Sequence, residues 1–259
     1  MRTPTLTPLL LAVSLLSACT PALSGSTPSA SEAAALVTQG RQAMGQQNFT
    51  LAVQDFRQAA AAGNADGQTM LGQLYQNGQG VEQDYAQALS WYRKAAAQGN
   101  AGALLNLGLV YREGLGVTKD AGQALEYFMA ADVAGHVKAP RYIGLYYEEA
   151  GDGQKAAAYY QKGAKLGDIT SEFYLGRAYE LGKGVSRDYA LATQWYTKSA
   201  ERGDVIASDG MVGLASLYER GLGVTQDMNR AIALYRQAAA VGNKNAVAAL
   251  QRLGVPTSP

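Results

Sequence analysis

The sequence contains one cysteine, Cys19, and one histidine, His136. A disulfide within the chain is therefore excluded, and most metal sites and catalytic devices lack their usual ligands. The formal net charge is +1, with 22 basic and 21 acidic residues mixed along the chain and no basic run. Without a basic patch, the sequence gives no indication of a nucleic-acid surface, and we expect no nucleic-acid partner.

Long hydrophobic runs are also missing. The apolar stretch 9–16 follows a single base, Arg2, and is far shorter than the ~20 residues that a membrane-spanning helix needs. Its length is typical of the core of a cleaved signal peptide, which we assign to residues 1–18. The stretch ends in Leu16-Ser17-Ala18-Cys19.

This tetrapeptide resembles the lipobox of bacterial lipoproteins. The resemblance implies cleavage before Cys19, diacylation of its thiol and acylation of the new amino group, and three acyl chains suffice for a stable membrane anchor. Thr20 follows where an aspartate would signal retention in enterobacterial sorting, which implies the outer membrane, facing the periplasm. We therefore predict a lipid-anchored protein of the cell envelope. The alternatives are an ordinary secretory signal with an incidental cysteine, or a buried structural cysteine.

After Cys19, the segment up to Ser31 is rich in Ser, Thr and Pro, so residues 19–31 are predicted to be the acylated cysteine and a flexible tether.

Glycine, by contrast, is abundant, with 30 residues, and it recurs in register. Segments 65–100, 101–136, 169–204 and 205–243 align without strain. In the first of them the shared frame is Leu71-Gly72-x-x-Tyr75, Gly78-x-Gly80-Val81-x-x-Asp84 and Ala88-x-x-Trp91-Tyr92-x-x-Ala95-Ala96-x-x-Gly99. Residues three and four apart share one face of a helix, so each segment is predicted to form two packed helices.

The frame closely resembles the Sel1-like repeat, a relative of the tetratricopeptide repeat, over residues 33–253. The resemblance implies an all-α, right-handed α/α solenoid that acts as a binding scaffold and not as an enzyme. We divide the mature chain into a tetratricopeptide-like N-terminal hairpin (32–64), five Sel1-like repeats (65–243), and a C-terminal capping helix and tail (244–259).

Local details of the frame follow from physical chemistry. Gly72 facing Ala88 lets two helices approach, and a bulky side chain there would cost about 1–3 kcal/mol. Gly78 and Gly80 are expected to supply backbone angles that other residues avoid. Asp84, with Gln87 three residues later, is placed as a helix cap.

Two irregularities interrupt the repeat. The third repeat, residues 137–168, lacks the Gly-x-Gly-Val turn, and its packing glycine and facing alanine, Gly144 and Ala156, are 12 residues apart instead of the 16 between Gly72 and Ala88. We expect a kink or a notch there. Three extra residues within 205–213 mark the second irregularity.

The search for chemistry yields no catalytic, cofactor-binding or metal-binding residues. The Gly-x-Gly turns follow helices and recur once per repeat, so they do not fit a dinucleotide fingerprint, which requires a preceding strand. His136 is predicted to be a turn residue. Carboxylates such as Asp84 and Asp120 belong to separate repeats and are predicted to be helix caps.

The candidate binding surface is the concave face, which the first helix of each repeat lines in tetratricopeptide arrays. An apolar strip there is not obviously required for packing, and arginines lie beside it. The strip consists of Leu105, Leu109, Leu145 and Phe173, and the arginines are Arg112, Arg141 and Arg177. Apolar anchors with arginine at the margin suit a protein or peptide partner. The alternative is that superhelical curvature buries these apolar residues against the neighbouring repeat.

The sequence thus predicts an envelope-anchored scaffold that binds a protein or peptide. One alternative is a secreted or surface-displayed effector that binds host proteins. A third, a cell-wall-active enzyme, would need a convergent acid/base or nucleophile set that the sequence does not offer.

Overall fold

A computed structural model describes residues 27–257. The predicted signal peptide and Cys19 lie outside this range. All regular secondary structure within it is α-helical, in thirteen helices. They are α1 (Ala30–Gly45), α2 (Phe49–Ala61), α3 (Ala65–Asn77), α4 (Tyr85–Ala96), α5 (Ala101–Glu113), α6 (Ala121–Val133), α7 (Ala139–Glu149), α8 (Gly153–Lys165), α9 (Ile169–Leu181), α10 (Tyr189–Ala200), α11 (Ser208–Arg220), α12 (Met228–Ala240) and α13 (Lys244–Arg252). Among these helices, none combines the length and apolar character needed to cross a bilayer.

The helices stack as successive hairpins. Each odd-numbered helix from α1 to α11 packs against the even-numbered helix that follows it, and the second helix of each pair packs against the first helix of the next. The predicted all-α solenoid is confirmed. Helix α1 begins at Ala30, inside the segment assigned to the tether, where Ser29 and Glu32 form a reciprocal capping box.

The recurring glycine of the first helix makes room for an aromatic ring. A methyl group built on Gly72 would lie 2.7 Å from the ring of Tyr92, which is completely buried. Gly108 has the same relation to Phe128. The sequence predicted that Gly72 faces the small Ala88, and a methyl group on Gly72 would indeed lie 3.3 Å from the Ala88 carbonyl oxygen. The closer contact is with the ring, which crosses its own hairpin, so the glycine is needed because of the ring.

The glycine-rich loop connects the two helices of a hairpin and packs against the preceding repeat. Gly78 and Gly80 have φ angles of 66° and 71°, as predicted. The Cα of Gly80 packs so closely on Phe49, at the start of α2, that a side chain would not fit. Asp84 caps α4 by accepting a hydrogen bond from the Gln87 N–H at 3.0 Å. Its own N–H donates to the Tyr75 carbonyl at 2.9 Å, so no return bond from Gln87 is required.

Both irregular repeats differ where the sequence departs from the frame. In the third repeat, the three residues 150–152 replace the long loop between α7 and α8. Before the fifth repeat, the extra residues form a turn that exposes 64% of Val205 and 51% of Ile206. At the end of the stack, α13 buries Ala246 and Leu250 against the last hairpin.

Candidate partner-binding surface

The first helices line the inner face of the stack. Within residues 27–257, α1 packs on α3, α3 on α5, α7 on α9, and α9 on α11, whereas successive second helices have no comparable contacts. Closer approach on one side makes that side concave. Helices α5 and α7 are the exception on this face, and the Arg112 side chain of α5 meets the Tyr142 ring of α7 between them.

Leu105 does not belong to the open surface. Its side chain is only 6% exposed and belongs to the buried cluster that contains Phe128 and Ile143. A partner could reach it only by separating the second and third repeats. For this residue, the structure favours the alternative of burial between repeats.

The other three apolar residues lie at the margin of the interior. Leu109 packs against the Phe128 cluster, and Leu145 packs against the cluster of Tyr160 and Leu175. The ring of Phe173 lies 5.9 Å from that of Tyr196, centroid to centroid. All three are partly buried, so each contributes to packing and also keeps part of its side chain accessible to solvent.

Two tyrosines that the sequence analysis did not select organise the arginines. Tyr142 stacks on Phe128 with ring centroids 5.0 Å apart. The guanidinium carbons of Arg112 and Arg141 lie 5.0 and 4.7 Å from the Tyr142 centroid. A guanidinium at this distance from an aromatic ring gains a cation–π attraction. Tyr142 therefore fixes two arginines between α5 and α7.

Tyr174 repeats this arrangement one repeat further along. Its ring stacks on Tyr160 at 4.9 Å, and the Arg177 guanidinium lies 4.8 Å from its centroid. The sequence signal was an aromatic residue one position before the recurring apolar residue of the first helix, which is Ile143 in α7 and Leu175 in α9. The corresponding residues of α3 and α5 are Met70 and Asn106.

Of the three arginines, Arg141 is the most enclosed. Its side chain is 13% exposed and pairs with Asp168 at 3.4 Å. Asp168 is 6% exposed and caps α9 through the backbone N–H and hydroxyl of Ser171, at 2.9 and 2.6 Å. The side chains of Arg112 and Arg177 are about one-third exposed, at 33% and 34%. These two are the cations that a partner can reach.

A recurring carboxylate, which was not among the residues predicted from the sequence, joins the later repeats. Glu148 accepts a hydrogen bond from the Tyr160 hydroxyl at 2.6 Å, within its own hairpin, and from Arg177 of the next hairpin at 2.6 Å. We call this arrangement a latch. Burial and the bond to Glu148 raise the pKa of Tyr160, which stays a hydrogen-bond donor.

The fourth and fifth repeats have equivalent latches. They are Glu180 with Tyr196 and Arg220, and Glu219 with Tyr235 and Arg252. The bond from Arg252 is the main reason that the pKa of Glu219 is lowered. In the second repeat, Phe128 and Arg112 replace the tyrosine and the acid. Arg112 pairs with the adjacent Glu113 at 2.8 Å and also stacks on Tyr142.

His136 is a half-buried turn residue. Its Nδ1 accepts a hydrogen bond from the Lys138 backbone N–H at 3.2 Å. Burial, assisted by the positive charges of Lys138 and Arg141, lowers its pKa, so the ring is neutral at pH 7. Among residues 27–257, no three His, Cys, Asp or Glu side chains converge into a group that could hold a metal ion.

A pocket of about 740 Å³ opens at the short loop of the third repeat. We call it the interrepeat pocket, because α8 and the short loop form one side and α9 and the next loop form the other. Its lining residues are Glu148, Ala150, Gly151, Asp152, Gly153, Gln154, Ala156, Ala157, Tyr160, Tyr174, Arg177, Ala178, Lys183 and Gly184. The notch expected from the shortened loop is present here.

Stacked hairpins with a concave first-helix face define an α/α solenoid of the tetratricopeptide type. The sequence profile of the Sel1 repeat matches residues 65–100, 101–131, 142–168, 169–204 and 208–243, and the chain belongs to the Sel1 repeat family. Sel1 repeat proteins generally mediate protein–protein interaction, and their solenoid is typically a non-catalytic scaffold. Comparison with curated proteins finds no match.

Solved structures agree with this assignment. A Sel1 repeat protein from Oxalobacter formigenes is 30% identical with a TM-score of 0.75, over 86% of this chain and 92% of that one. A protective antigen present in uropathogenic Escherichia coli strains is 37% identical with a TM-score of 0.71, over 88% of this chain. The match covers 51% of the antigen, so this chain spans about half its length. An immunity protein from Pseudomonas aeruginosa, 19% identical with a TM-score of 0.58 over 84% of each chain, shares the fold alone.

Proposed function

We propose that this protein is an envelope-anchored scaffold that binds a protein or peptide partner on the concave surface of α5, α7 and α9. The observation that carries the proposal is the pair of aromatic–arginine stacks on that surface. Tyr142 with Arg112 and Tyr174 with Arg177 present planar cations and ring edges on the same helices as the partly buried Leu145. Arginine and tyrosine are the residues most enriched where binding energy concentrates in protein interfaces.

The stacking also prepares the surface for binding. The rings of Tyr142 and Tyr174 are held by Phe128 and Tyr160 before a partner arrives. A side chain that is already ordered loses little entropy on association, and each free rotamer-rich side chain would cost roughly 0.5–1.5 kcal/mol. A partner with apolar and acidic side chains would complement this surface.

Site-specific photo-crosslinking tests the partner site. A benzophenone amino acid placed at Leu145 should crosslink a discrete protein in cells, and the same group at Gln161, exposed on the second helix α8, should not. Adding Arg112→Ser and Arg177→Ser should remove the Leu145 product in a protein that is still helical at the assay temperature by circular dichroism, although loss of the Arg177–Glu148 pair should lower its melting temperature. Equal labelling from both positions, or a product that survives the arginine changes, would contradict the proposal.

The anchor rests on the position of Cys19, the only cysteine of the chain, directly after a short apolar run. Wild-type protein should incorporate radiolabelled palmitate and fractionate with the outer membrane. A Cys19→Ser variant should lose the label and leave the membrane fraction. Membrane association without label, or a soluble wild type, would reject the anchor and leave the partner site to be judged by crosslinking.

Surface display is the second candidate, because a relative is described as a protective antigen. Protease added to intact cells separates the two orientations. Under our proposal, the protein is degraded only after the outer membrane is permeabilised. Degradation on intact cells would replace the periplasmic scaffold with a surface-displayed one.

A further inference from the structure

The interrepeat pocket lies beside a position where the third repeat has a smaller side chain than the other repeats. At the fifth position of the second helix, the third repeat has Ala157, and the other repeats have Leu89, Leu125, Thr193 and Ile232. A branched side chain is therefore missing at this interface.

A second replacement lies in the loop after α9. Leu115 and Leu222 occupy this position in the second and fifth repeats and pack into buried clusters. The fourth repeat has Lys183 instead, and its side chain is 61% exposed at the edge of the pocket. The interface has thus lost apolar volume and gained a positive charge.

The walls that remain suit an aromatic ring. Tyr174 offers a ring that is held by its stack on Tyr160, and Ala157 and Ala178 contribute methyl groups. Ligand sites in proteins typically have volumes of about 300–1,000 Å³ and combine apolar walls with a few polar groups, and this pocket falls in that range. A ring inserted here would lie beside Ala157, where the first and second repeats have a leucine.

The charges of the lining residues favour a ligand that carries a carboxylate. Glu148 already binds Tyr160 and Arg177, both at 2.6 Å, and Asp152 pairs with Lys155 at 3.0 Å. Among the described residues, the Lys183 ammonium has a single acidic neighbour, Glu148, at 4.0 Å. Lys183 therefore has the weakest ionic contact of the lining charges, and a ligand carboxylate could approach it more closely.

We propose that the interrepeat pocket binds an aromatic residue of a partner chain, with the carboxylate of a neighbouring residue placed against Lys183. This inference rests on the proposed function and names a recognition element of the partner. It adds a second contact at the loop edge to the concave surface, and Arg177 lies at the junction of the two.

Short capped peptides test the proposal by NMR on the purified protein with labelled alanine methyl groups. The probes are Ac-Asp-Phe-amide, its uncharged match Ac-Asn-Phe-amide, Ac-Asp-Ala-amide, and phenylacetate as a free aromatic acid. We expect the first peptide to shift the Ala157 and Ala178 methyl signals. The asparagine peptide should bind several-fold more weakly, and the alanine peptide should leave both signals unchanged. Phenylacetate should bind more weakly than Ac-Asp-Phe-amide, because it lacks the peptide backbone.

Two variants separate the pocket from its charge. Ala157→Leu restores the residue of the first two repeats and should abolish binding of every probe, with an unchanged or raised melting temperature. Lys183→Leu, the residue of the second and fifth repeats, should keep ring binding and lose the preference for aspartate over asparagine. Lys165→Leu, exposed at the far end of α8, is the matched control and should change nothing.

Several results would overturn the proposal. The first is that Ac-Asp-Phe-amide shifts neither methyl signal, and the second is that Ala157→Leu binds the probes as the wild type does. The third is that the preference for aspartate over asparagine survives Lys183→Leu. The fourth is that phenylacetate binds most tightly, which would indicate a small-molecule site. Should Ala157→Leu fail to fold, the proposal is decided by comparing the preference for aspartate over asparagine in Lys183→Leu and in the wild type. Crosslinking at Leu145 without probe binding would reject this pocket and keep the scaffold. Probe binding without a crosslinked partner would reject the scaffold.

Discussion

Aspartates begin many of the helices, but they lie in different surroundings. Asp84 is exposed and caps α4 with one hydrogen bond to the Gln87 N–H. Asp168 is buried, caps α9 through both the N–H and the hydroxyl of Ser171, and also pairs with Arg141. The same residue type at a helix start therefore has a local role in one repeat and a role between repeats in another.

Replacing each aspartate with alanine should separate these roles. Asp84→Ala removes an exposed cap and should lower the free energy of unfolding by about 1 kcal/mol. Asp168→Ala also leaves the enclosed Arg141 guanidinium without its carboxylate, and we expect a loss of about 3–5 kcal/mol. Urea denaturation followed by circular dichroism measures both values. Equal losses would mean that the Arg141–Asp168 pair contributes nothing.

His136 should make stability depend on pH. Burial holds its pKa below the ordinary value of 6.5, so the unfolded chain takes up a proton at a higher pH than the folded chain does. The stability due to the neutral ring is complete above pH 6.5 and decreases as the pH falls toward the lower pKa of the fold. The melting temperature should therefore fall more between pH 7.5 and pH 5.5 than carboxylates alone would cause.

The matched variant is His136→Asn, because the first and fifth repeats have Asn100 and Asn243 at this turn position. Asparagine does not titrate, so the variant should show a shallower decrease over the same pH range. Parallel curves for the two proteins would show that His136 has the same pKa in the folded and unfolded chains.

At the scale of the hairpin, tyrosine–carboxylate bonds join the two helices. The Tyr196 hydroxyl donates to Glu180 at 2.7 Å, whereas the Tyr92 hydroxyl donates to the neutral Gln76 at 3.0 Å. Both tyrosine rings are buried, so phenylalanine would keep their packing. Phe128 at the equivalent position of the second repeat shows that the ring alone is compatible with the hairpin.

Tyr196→Phe should therefore cost more than Tyr92→Phe. Hydrogen bonds to charged groups contribute about 1.5–3 kcal/mol, and neutral ones about 0.5–1.5 kcal/mol. Guanidinium chloride denaturation of the two variants gives the comparison. A cost for Tyr92→Phe that matches or exceeds that of Tyr196→Phe would show that the charge of Glu180 adds no strength to its latch.

The hairpins could be predicted from the sequence because each repeat encodes them again. Apolar spacing identified the helix faces, and the glycines of the loop identified the left-handed turns. The contact of Gly72 with the Tyr92 ring was missed because periodicity defines a face of a helix but not which side chain of the opposite helix reaches that face. The latches could have been predicted from the sequence, since Glu180 precedes Tyr196 and Glu219 precedes Tyr235 by the same 16 residues.

At the scale of the whole molecule, the binding surface was harder to predict than the fold. The sequence placed Leu105 and Leu109 on one face, yet Leu105 is buried and Leu109 is only partly so. The angle between successive repeats decides how deeply these side chains are buried. That angle depends on contacts between segments far apart in the sequence, such as the contact of Arg112 with Tyr142. The notch was predictable because it follows from a deletion that the alignment shows directly.

A stack of hairpins is stabilised by contacts between neighbours, so its ends need a cover. Helix α13 provides one at the C-terminal end. Leu250 is fully buried in the cluster of Met211 and Tyr235, and Arg252 completes the last latch by pairing with Glu219 at 2.7 Å. Burying one leucine side chain contributes about 1.5–3 kcal/mol.

Ending the chain at Asn243 should therefore expose the apolar side of the last hairpin. We expect a lower melting temperature, binding of a hydrophobic dye, and concentration-dependent association, because Met211 and Tyr235 would face solvent. A chain that ends at Pro256 is the control, since it keeps α13 and the 3.2 Å bond from Arg236 to the Pro256 carbonyl. If both truncated chains have the same melting temperature as the full protein, the last hairpin is stable without a cover. The nearest-neighbour account of this solenoid would then be wrong at its C-terminal end.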